Sequence, residues 1–219
     1  MSETVLILAG GTTPTSAVQN ALPPAAMCIA ADSGIDHARR LGLQPDVLIG
    51  DLDSASAEGL AWAAEVGIEI QRHRAAKDET DLELALDHAV AFRPDRIVVA
   101  AIGGGRFDHL LANFALLANR RYATVAIDAM VDTALVSVIH DQRRLNGDVD
   151  ELVSLLPING DAVSVTTSGL RYPLDGEDLP AGSSRGVSNV LTRTEATVSL
   201  DHGTLLAIQP DRLTRPGTA

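Results

Sequence analysis

Short runs of consecutive apolar residues recur along the first part of the chain, separated by stretches with apolar residues three or four positions apart. Uninterrupted apolar runs are typical of strands buried on both faces of a parallel sheet, and the wider spacing is typical of amphipathic helices. The predicted strands are residues 5–9, 27–31, 46–50, 68–70, 97–102 and 123–127. The predicted helices are about residues 15–22, 34–41, 55–66, 81–90 and 109–119, and we expect the last to bury Leu110, Leu111 and Phe114. This alternation predicts an N-terminal α/β domain with a doubly wound, mostly parallel sheet.

The pattern changes at about residue 133, beyond which no long helical stripe is present. Strand-like segments remain at residues 152–156, 162–166, 196–200 and 204–208. They predict a small C-terminal β-sandwich or barrel, with the last two strands joined as a hairpin through residues 201–203. Residues 209–219 contain two prolines and no apolar pattern, which predicts a frayed tail. We therefore divide the chain into an α/β domain, residues 1–132, and a β-domain, residues 133–219.

Composition limits the partners and the compartment. The formal net charge of −12 argues against non-specific nucleic-acid binding, which needs clustered Lys and Arg. No apolar run approaches the about 18 residues of a membrane span, and the start of the chain lacks the basic segment and long apolar core of a signal peptide. The single cysteine, Cys28, cannot form an internal disulfide, which fits a reducing compartment. We therefore expect a cytoplasmic protein with neither a membrane nor a nucleic-acid partner.

Two carboxylates follow the third predicted strand, in the segment Gly50-Asp51-Leu52-Asp53-Ser54. In an extended backbone, side chains at positions i and i+2 point the same way, so Asp51 and Asp53 repel each other unless a cation lies between them. A divalent metal is the usual solution, and Mg²⁺ prefers oxygen ligands. The alternative is a plain loop with Asp51 in a turn and Asp53 or Ser54 capping the next helix.

The ends of the first two predicted strands also carry candidate site residues. Gly10 and Gly11 follow the first strand and would let a ligand approach the main chain. Asp32-Ser33-Gly34 follows the second strand. Asp32 is either the cap of the next helix or a ligand-binding residue at the carboxyl edge of the sheet, where open α/β sheets bind ligands.

A third acidic segment, Lys77-Asp78-Glu79-Thr80-Asp81, precedes the fourth predicted helix. Thr80 and Glu83 form a capping box, so the helix should begin at Asp81. The box does not require Asp78 and Asp81, although Asp81 also suits the positive end of the helix. Both carboxylates therefore remain candidates for a site.

The fifth predicted strand ends in Gly103-Gly104-Gly105-Arg106-Phe107-Asp108-His109. Three glycines before Arg106 and Asp108 allow a close main-chain approach at a helix start. His109 and Asn113 are four residues apart and share a helix face. We interpret this segment as part of the site, although a lone histidine is more often a surface or capping residue.

Doubly wound topology brings these strand ends to one edge of the sheet. A group of aspartates there, with Lys77, Arg106 and several glycines, suits Mg-nucleotide chemistry. Metal ions would neutralise phosphate charge, Arg106 and Lys77 would hold non-bridging oxygens, and an aspartate near the acceptor would orient or deprotonate an attacking hydroxyl.

In order along the chain, these motifs resemble those of thiamine pyrophosphokinases. The second half is similar as well, in Ser154-Leu155-Leu156-Pro157, Gly169-Leu170-Arg171-Tyr172-Pro173-Leu174 and Gly186-Val187-Ser188-Asn189. The resemblance implies an α/β catalytic domain followed by a β-sandwich that binds thiamine. It implies transfer of the diphosphate of ATP to the hydroxyl of thiamine, with Mg²⁺, in a homodimer whose thiamine pocket lies between subunits.

The resemblance also implies roles for individual residues. It makes Asp51, Asp53 and Asp81 metal ligands and, together with Asp108, catalytic residues. The expected nucleotide and phosphate contacts are Gly10, Gly11, Asp32, Ser33, Gly34, Lys77, Asp78, Thr80 and Arg106. The expected acceptor contacts are Asp108, His109, Asn113, Ser188 and Asn189.

The chain departs from the family pattern mostly on the acceptor side. Leu52 stands where the family often has Phe, and Val190 stands where Glu commonly follows the Ser-Asn pair. Two alternatives therefore stay open. One is a diphosphokinase that acts on another hydroxymethyl acceptor, such as a pterin, and the other is a non-enzymatic nucleotide-sensing protein on the same fold.

Overall fold

The computed structural model describes residues 3–76, 78–104 and 106–215. The described chain forms two compact units. The first contains the residues up to 113 together with 127–132, and the second contains 114–126 together with the residues from 133 onward. The domain boundary between residues 132 and 133 stays a prediction.

Six hydrogen-bonded neighbouring strands of one sheet and their helices make up most of the first unit. The strands are β1 (Thr4–Leu8), β2 (Met27–Ala31), β3 (Val47–Gly50), β4 (Glu69–Arg72), β5 (Arg96–Ala100) and β6 (Ala126–Val131). The helices along this part of the chain are α1 (Ser16–Ala21), α2 (Gly34–Leu41), α3 (Ala57–Glu65), α4 (Asp81–Ala91) and α5 (Phe107–Leu117). The strand order is β6-β5-β1-β2-β3-β4. The pairs β1–β5, β1–β2, β2–β3 and β3–β4 are parallel, which confirms the predicted α/β class.

Local signals place most of these elements. The apolar runs of β1 and β3 are buried on both faces, as a central parallel strand requires. Gly42 ends α2 with a left-handed φ of 68°, and its N–H bonds back to the last turn. The predicted strand over residues 123–127 is wrong in position, because residues 120–122 form a 3₁₀ helix that buries Tyr122 and delays β6 to residue 126. The burial expected for Leu111 is also wrong in the single chain, since its side chain is 56% exposed.

Cys28 lies on β2 with its main-chain N–H donating to Asp46 Oδ2 at 2.7 Å. Burial of the thiol, and secondarily the Asp46 carboxylate, raise the pKa of Cys28 to about 12. The thiol is therefore protonated and unreactive at neutral pH.

The second unit is a two-sheet β-sandwich, as predicted. Its strands are β7 (Ala134–Ile139), β8 (Gln142–Asn146), β9 (Leu152–Pro157), β10 (Ala162–Ser168), β11 (Glu177–Leu179), β12 (Asn189–Val190), β13 (Glu195–Ser199) and β14 (Leu205–Gln209). Strands β12-β9-β14-β7 lie in one sheet and β11-β10-β13-β8 in the other. One hydrophobic cluster with members such as Val153, Leu205, Val165 and Val198 joins the two inner faces.

Two expectations about this unit are wrong. Strands β13 and β14 do not form a hairpin, because β13 pairs with β8 and β10 whereas β14 pairs with β7 and β9. The chain crosses between the sheets at residues 201–203, where His202 bridges to Val163. The frayed tail is also wrong as far as residue 215, because residues 212–214 form a 3₁₀ helix that buries Leu213 and bonds its N–H to Thr133 O at 2.9 Å. Within the described ranges, no helix has the length and apolar character needed to cross a membrane.

Candidate active site

Three aspartates meet at the carboxyl ends of β2 and β3. Asp32 directly follows β2, and Asp51 and Asp53 follow β3, its parallel neighbour. Carboxylate oxygens of Asp32, Asp51 and Asp53 all lie within 4.8 Å of one another. We call these three residues the carboxylate cluster. Its position is the edge where open α/β sheets bind ligands.

Backbone geometry holds the cluster together. Asp32 has a left-handed φ of 48°, and its N–H donates to Ile49 O at 2.9 Å, which ties the end of β2 to β3. Leu52 has a φ of 67° and is buried in an apolar cluster with Leu48 and Ile35. With Leu52 anchored inward, Asp51 and Asp53 are left on the same side of the chain. Such left-handed conformations are uncommon away from glycine and concentrate at functional sites.

Capping does not explain the cluster. Ser56, and neither Asp53 nor Ser54, caps α3, with its Oγ accepting from Gly59 N at 2.9 Å. Ser33, and not Asp32, occupies the N-cap position of α2. Asp51 does lie in a turn, as the plain-loop alternative predicted, since Asp53 N donates to Asp51 Oδ1 at 3.1 Å. This bond brings the two carboxylates closer together rather than giving either of them a cap role.

The cluster concentrates negative charge in a half-buried place. Burial is the largest cause that raises the pKa of Asp32, and the carboxylates of Asp81 and Asp53 raise it further against the opposing main-chain N–H groups of Ser33 and Ser54. Within the described part of the chain, Asp32 Oδ1 is buried and accepts no hydrogen bond. A buried, unsatisfied carboxylate oxygen beside two other carboxylates is the donor set that a hard divalent cation takes.

Asp81 borders the cluster. It is the first residue of α4, and its Oδ1 accepts from Asp51 N at 3.3 Å. Gly50 leaves room for it, because a Cβ at residue 50 would lie 3.0 Å from Asp81 Oδ1. The structure thus groups Asp32 with Asp51 and Asp53 and places the expected ligand Asp81 next to them. Metal binding by Asp51, Asp53 and Asp81 remains a prediction.

Helix α4 is capped by Thr80 of the preceding acidic segment, as predicted. Thr80 Oγ1 accepts from Glu83 N at 3.2 Å, and the helix begins at Asp81. Asp78 is exposed. Lys77 lies outside the described residues, so its expected phosphate contact stays a prediction, as do those of Asp78 and Thr80.

Glycines bring three main-chain segments close together at the same edge. Gly11 N donates to Ala101 O at 2.7 Å, and a Cβ on Gly11 would lie 2.3 Å from Gly103 O. A Cβ on Gly34 would lie 1.9 Å from Leu8 O, and one on Gly10 would lie 2.5 Å from Ser33 Oγ. Side chains at these positions would therefore force the segments apart.

Arg106 and Asp108 form an exposed ion pair at the start of α5. Arg106 Nε donates to Asp108 Oδ1 at 3.2 Å, and this hydrogen bond is the main cause that lowers the pKa of Asp108 to about 2. The same pair raises the pKa of Arg106. His109 is exposed, and Asn113 Nδ2 approaches Ile102 O at 3.5 Å. Gly105 lies outside the described residues.

Ser188 and Asn189 belong to the second unit and have different surroundings. Ser188 is exposed with a left-handed φ of 59°, and its N–H donates to Ser154 Oγ at 3.0 Å. Asn189 is buried, and its amide bonds to both main-chain groups of Tyr172, accepting at 3.0 Å and donating at 2.7 Å. The Asn189 side chain thus fixes the backbone of Tyr172, whose own side chain is 65% exposed.

The sequence did not reveal two features of these surroundings. His37 is buried on α2 with Nε2 2.8 Å from Gly11 O, and Tyr172, whose main chain is bonded by Asn189, has an exposed side chain. A histidine on the apolar face of a short helix next to Asp32-Ser33-Gly34 was the available signal for the first. For the second, the available signal was an aromatic residue within the Gly169–Leu174 motif of a chain with only 3% aromatic residues.

The site combines aspartates at the ends of adjacent parallel strands, glycine-rich crossings beside them and an arginine at a neighbouring helix start. This combination defines a class: an α/β protein with a polar ligand site at the carboxyl edge of its sheet. Comparison with known proteins narrows the class. The family described as "Thiamin pyrophosphokinase, catalytic domain" matches residues 18–128, and the family described as "Thiamin pyrophosphokinase, vitamin B1 binding domain" matches residues 138–205. The chain belongs to the thiamin pyrophosphokinase family.

Individual relatives agree with this assignment. A thiamine pyrophosphokinase of Bacillus subtilis is 30% identical over 184 residues, which are 83% of this chain and 86% of the relative. A crystal structure of thiamine pyrophosphokinase from the same species superposes with a TM-score of 0.82 at 28% identity, covering 94% of this chain and 98% of that one. A second, from Geobacillus thermodenitrificans, gives 0.80 at 27% identity, covering 94% and 96%. The chain covers 65% of thiamine pyrophosphokinase 1 of Oryza sativa subsp. japonica, at 27% identity over 176 residues, 74% of this chain.

Proposed function

We propose that the protein is a thiamine diphosphokinase, an enzyme that transfers the terminal diphosphate of ATP to the hydroxyl of thiamine and releases AMP. Family membership across both halves of the chain supports the substrates. The carboxylate cluster is the observation that carries the chemistry, because a polyphosphate cannot approach a protein of net charge −12 without local cations.

The residues present fit a magnesium ion. Asp32, Asp51 and Asp53 offer oxygens within 4.8 Å of one another. Ligands of one Mg²⁺ with bonds of roughly 2.1 Å lie at most about 4.2 Å apart, so small side-chain shifts bring these oxygens to a common ion. Asp81 is a further ligand in the proposal, beside Asp51. Bound Mg²⁺ would neutralise phosphate charge and orient the diphosphate for in-line displacement.

The remaining nucleotide contacts come from main chain and from two cations. The proposed main-chain contacts are Gly10, Gly11, Ser33 and Gly34, which pack closely beside the end of β2, where Asp32 of the cluster lies. Because the Gly11 N–H is already bonded to Ala101 O, Gly11 would shape this edge rather than donate to a phosphate. Arg106 and Lys77 supply positive charge for non-bridging oxygens. Because Arg106 is exposed and held by Asp108, its guanidinium is charged and oriented before the nucleotide arrives.

The transfer breaks the bond between the β-phosphorus of ATP and the oxygen that bridges it to the α-phosphorus, and that oxygen leaves with AMP. The thiamine hydroxyl oxygen forms the new bond to the β-phosphorus and loses its proton. Asp108 is a poor acceptor for that proton, because its pKa of about 2 lies far below a neutral operating pH. Its proposed role is to orient Arg106 and accept a hydrogen bond from the acceptor, while the diphosphate and solvent take up the proton.

The proposed acceptor contacts include His109, Asn113 and the exposed hydroxyl of Ser188. Asn189 contributes indirectly, because its amide is already bonded to the Tyr172 main chain. Tyr172 then offers a fixed aromatic face on which a heterocycle can stack.

We also propose a cytoplasmic homodimer. Phe107 and Leu111 on α5 are 71% and 56% exposed, which is unusual for large apolar side chains on one helix and favours cover by a second copy. The protonated thiol of Cys28, the single cysteine, suits a reducing compartment.

The test is incubation of the purified protein with ATP, MgCl₂ and thiamine, with AMP and thiamine diphosphate measured together by chromatography. We expect both products in equal amounts, with no product in EDTA. Asp51→Asn should lower the rate at least about 10²- to 10³-fold, as loss of an electrostatic stabiliser does, and the exposed Asp175→Asn is the matched control. If a hydroxymethyl-pterin gives product and thiamine gives none, the pterin and not thiamine is the acceptor. If no acceptor leads to release of AMP, the proposed enzymatic activity is refuted.

A further inference from the structure

The turn that follows β1, residues 10–13, is held on one side by side chains of α2 and its N-cap. Ser33 Oγ donates to Gly10 O at 3.4 Å, His37 Nε2 lies 2.8 Å from Gly11 O, and Arg40 Nη1 donates to Thr13 Oγ1 at 3.0 Å. We call residues 10–13 the glycine turn. Three side chains, at intervals of three or four residues, therefore contact three of the four residues of one turn.

The other side of the glycine turn is fixed by main chain. Gly11 N donates to Ala101 O and Thr12 N donates to Gly103 O, each at 2.7 Å, and Thr12 Oγ1 adds a bond to Gly103 O at 3.2 Å. The turn is therefore clamped between α2 and the segment after β5. Neither neighbour can shift without moving it.

His37 is the buried member of this clamp. Its ring is 5% exposed, and since a carbonyl can only accept, Nε2 carries the proton and donates to Gly11 O. Among the described residues, Nδ1 is buried and has no hydrogen-bond partner. An apolar side chain would fill the same place without burying an unpaired nitrogen, so packing alone does not account for a histidine here.

We propose that His37 is a positioning residue of the nucleotide site, and this inference rests on the proposed function. The helix that carries His37 begins directly after Asp32-Ser33-Gly34, so one helix both continues from the carboxylate cluster and grips the glycine turn. The bond to Gly11 O keeps the ends of β1 and β2 in a single arrangement. A metal–triphosphate complex then meets a preorganised surface rather than a mobile turn.

The test compares His37→Leu with His37→Gln. Leucine fills the space without a donor, whereas the amide of glutamine reaches as far as Nε2 and can still donate to Gly11 O. His140→Leu is the matched control in the other unit, because His140 also has one ring nitrogen bonded, to Thr204 Oγ1 at 3.1 Å, and the other buried without a partner among the described residues. All four proteins are compared at equal thermal stability by adjusting temperature.

Three measurements are made on each protein. Hydrogen exchange without ligand follows the amides of the glycine turn, calorimetry gives the Kd of Mg·ATP without thiamine, and initial rates give the KM of both substrates. For His37→Leu we expect faster exchange in residues 10–13 and a Kd about 2- to 12-fold higher, the loss of one neutral hydrogen bond converted at tenfold per 1.4 kcal/mol. The KM for thiamine should not change, and His37→Gln and His140→Leu should resemble the wild type.

Unchanged exchange or unchanged Kd in His37→Leu would overturn the inference. So would a His37→Gln protein no better than His37→Leu, because the side chain would then serve packing only. Equal increases in the KM of both substrates would also count against it. If the wild type itself does not bind Mg·ATP, both the proposed function and this inference are overturned. This outcome differs from failure of the His37 inference alone, because it is seen without any variant.

Discussion

Replacing Asp51 with asparagine should stabilise the metal-free protein while removing its response to magnesium. Asparagine has the same shape, and its Oδ1 can still accept from Asp53 N as the aspartate does at 3.1 Å. The turn is therefore kept. The substitution removes only one negative charge from a cluster in which three carboxylates lie within 4.8 Å.

The size of the effect follows from that separation. Two unit charges no more than 4.8 Å apart repel by at least about 3.5 kcal/mol at an effective dielectric constant near 20. Asp51 faces two such neighbours, but Asp53 is exposed and its repulsion is screened. Allowing for this, and for the weaker acceptor that an amide provides, the net gain is about 1–3 kcal/mol, or a Tm increase of roughly 2–10 °C for a chain of this size. For the wild type, Mg²⁺ at about 100 times its Kd should add about 2.7 kcal/mol.

Thermal unfolding in EDTA and in a series of MgCl₂ concentrations measures both effects. The wild type should gain stability with magnesium, and Asp51→Asn should begin higher in EDTA and gain little. Asp175→Asn, an exposed aspartate of the second unit, controls for a general change in net charge. A folded Asp51→Asn protein that is less stable in EDTA and still responds fully to magnesium would refute the interpretation of the cluster as a metal site.

Three further predictions concern single side chains. Ser188→Ala should raise the KM for thiamine about 2- to 12-fold with little change for ATP, since one neutral hydrogen bond is lost, and equal changes for both substrates in initial rates would assign Ser188 a structural role. An NMR titration should find the Asp108 carboxyl with a pKa of about 2, and Arg106→Ala should return this pKa toward the ordinary value of about 3.9. In the wild type, the stabilisation of the folded state by ionised Asp108 is fully present above the ordinary pKa and is lost as the pH falls through about 2. Leu111→Arg should convert a dimer to a monomer in light scattering, and a wild type that is monomeric yet fully active would contradict the proposed assembly.

Elements whose environment is set locally could be predicted from the sequence. The uninterrupted apolar runs of β1, β2, β3 and β5, and the Thr80 cap of α4, carry their own signals, and the structure agrees to within one or two residues. Strand β8 could not be predicted in this way, because Gln142–Asn146 is polar except for Leu145 and is a strand only through its pairing with β13. The two-residue β12 depends in the same way on β9.

The candidate site shows the same division. The strand-end positions of Asp32, Asp51 and Asp53 were readable, because they follow from element boundaries. The topology also predicted that they share one edge of the sheet. Their approach to within 4.8 Å of one another could not be predicted, because it depends on the left-handed backbone of Asp32 and Leu52, which residue type alone does not indicate. Likewise, helical periodicity placed His37 on a helix but could not identify its acceptor, Gly11 O, 26 residues earlier.

Cys28 has a practical consequence for spectroscopy. With a pKa of about 12, the thiol of the single cysteine is a thiolate in only about one molecule in 10⁵ at neutral pH, so maleimides and similar reagents should leave it unmodified. One cysteine introduced at an exposed position would then be the sole point of attachment for a fluorophore or spin label, with the native residue kept. Val187, 47% exposed and next to Ser188, is such a position. A label there would test binding at the proposed acceptor site, by a signal that does not require turnover.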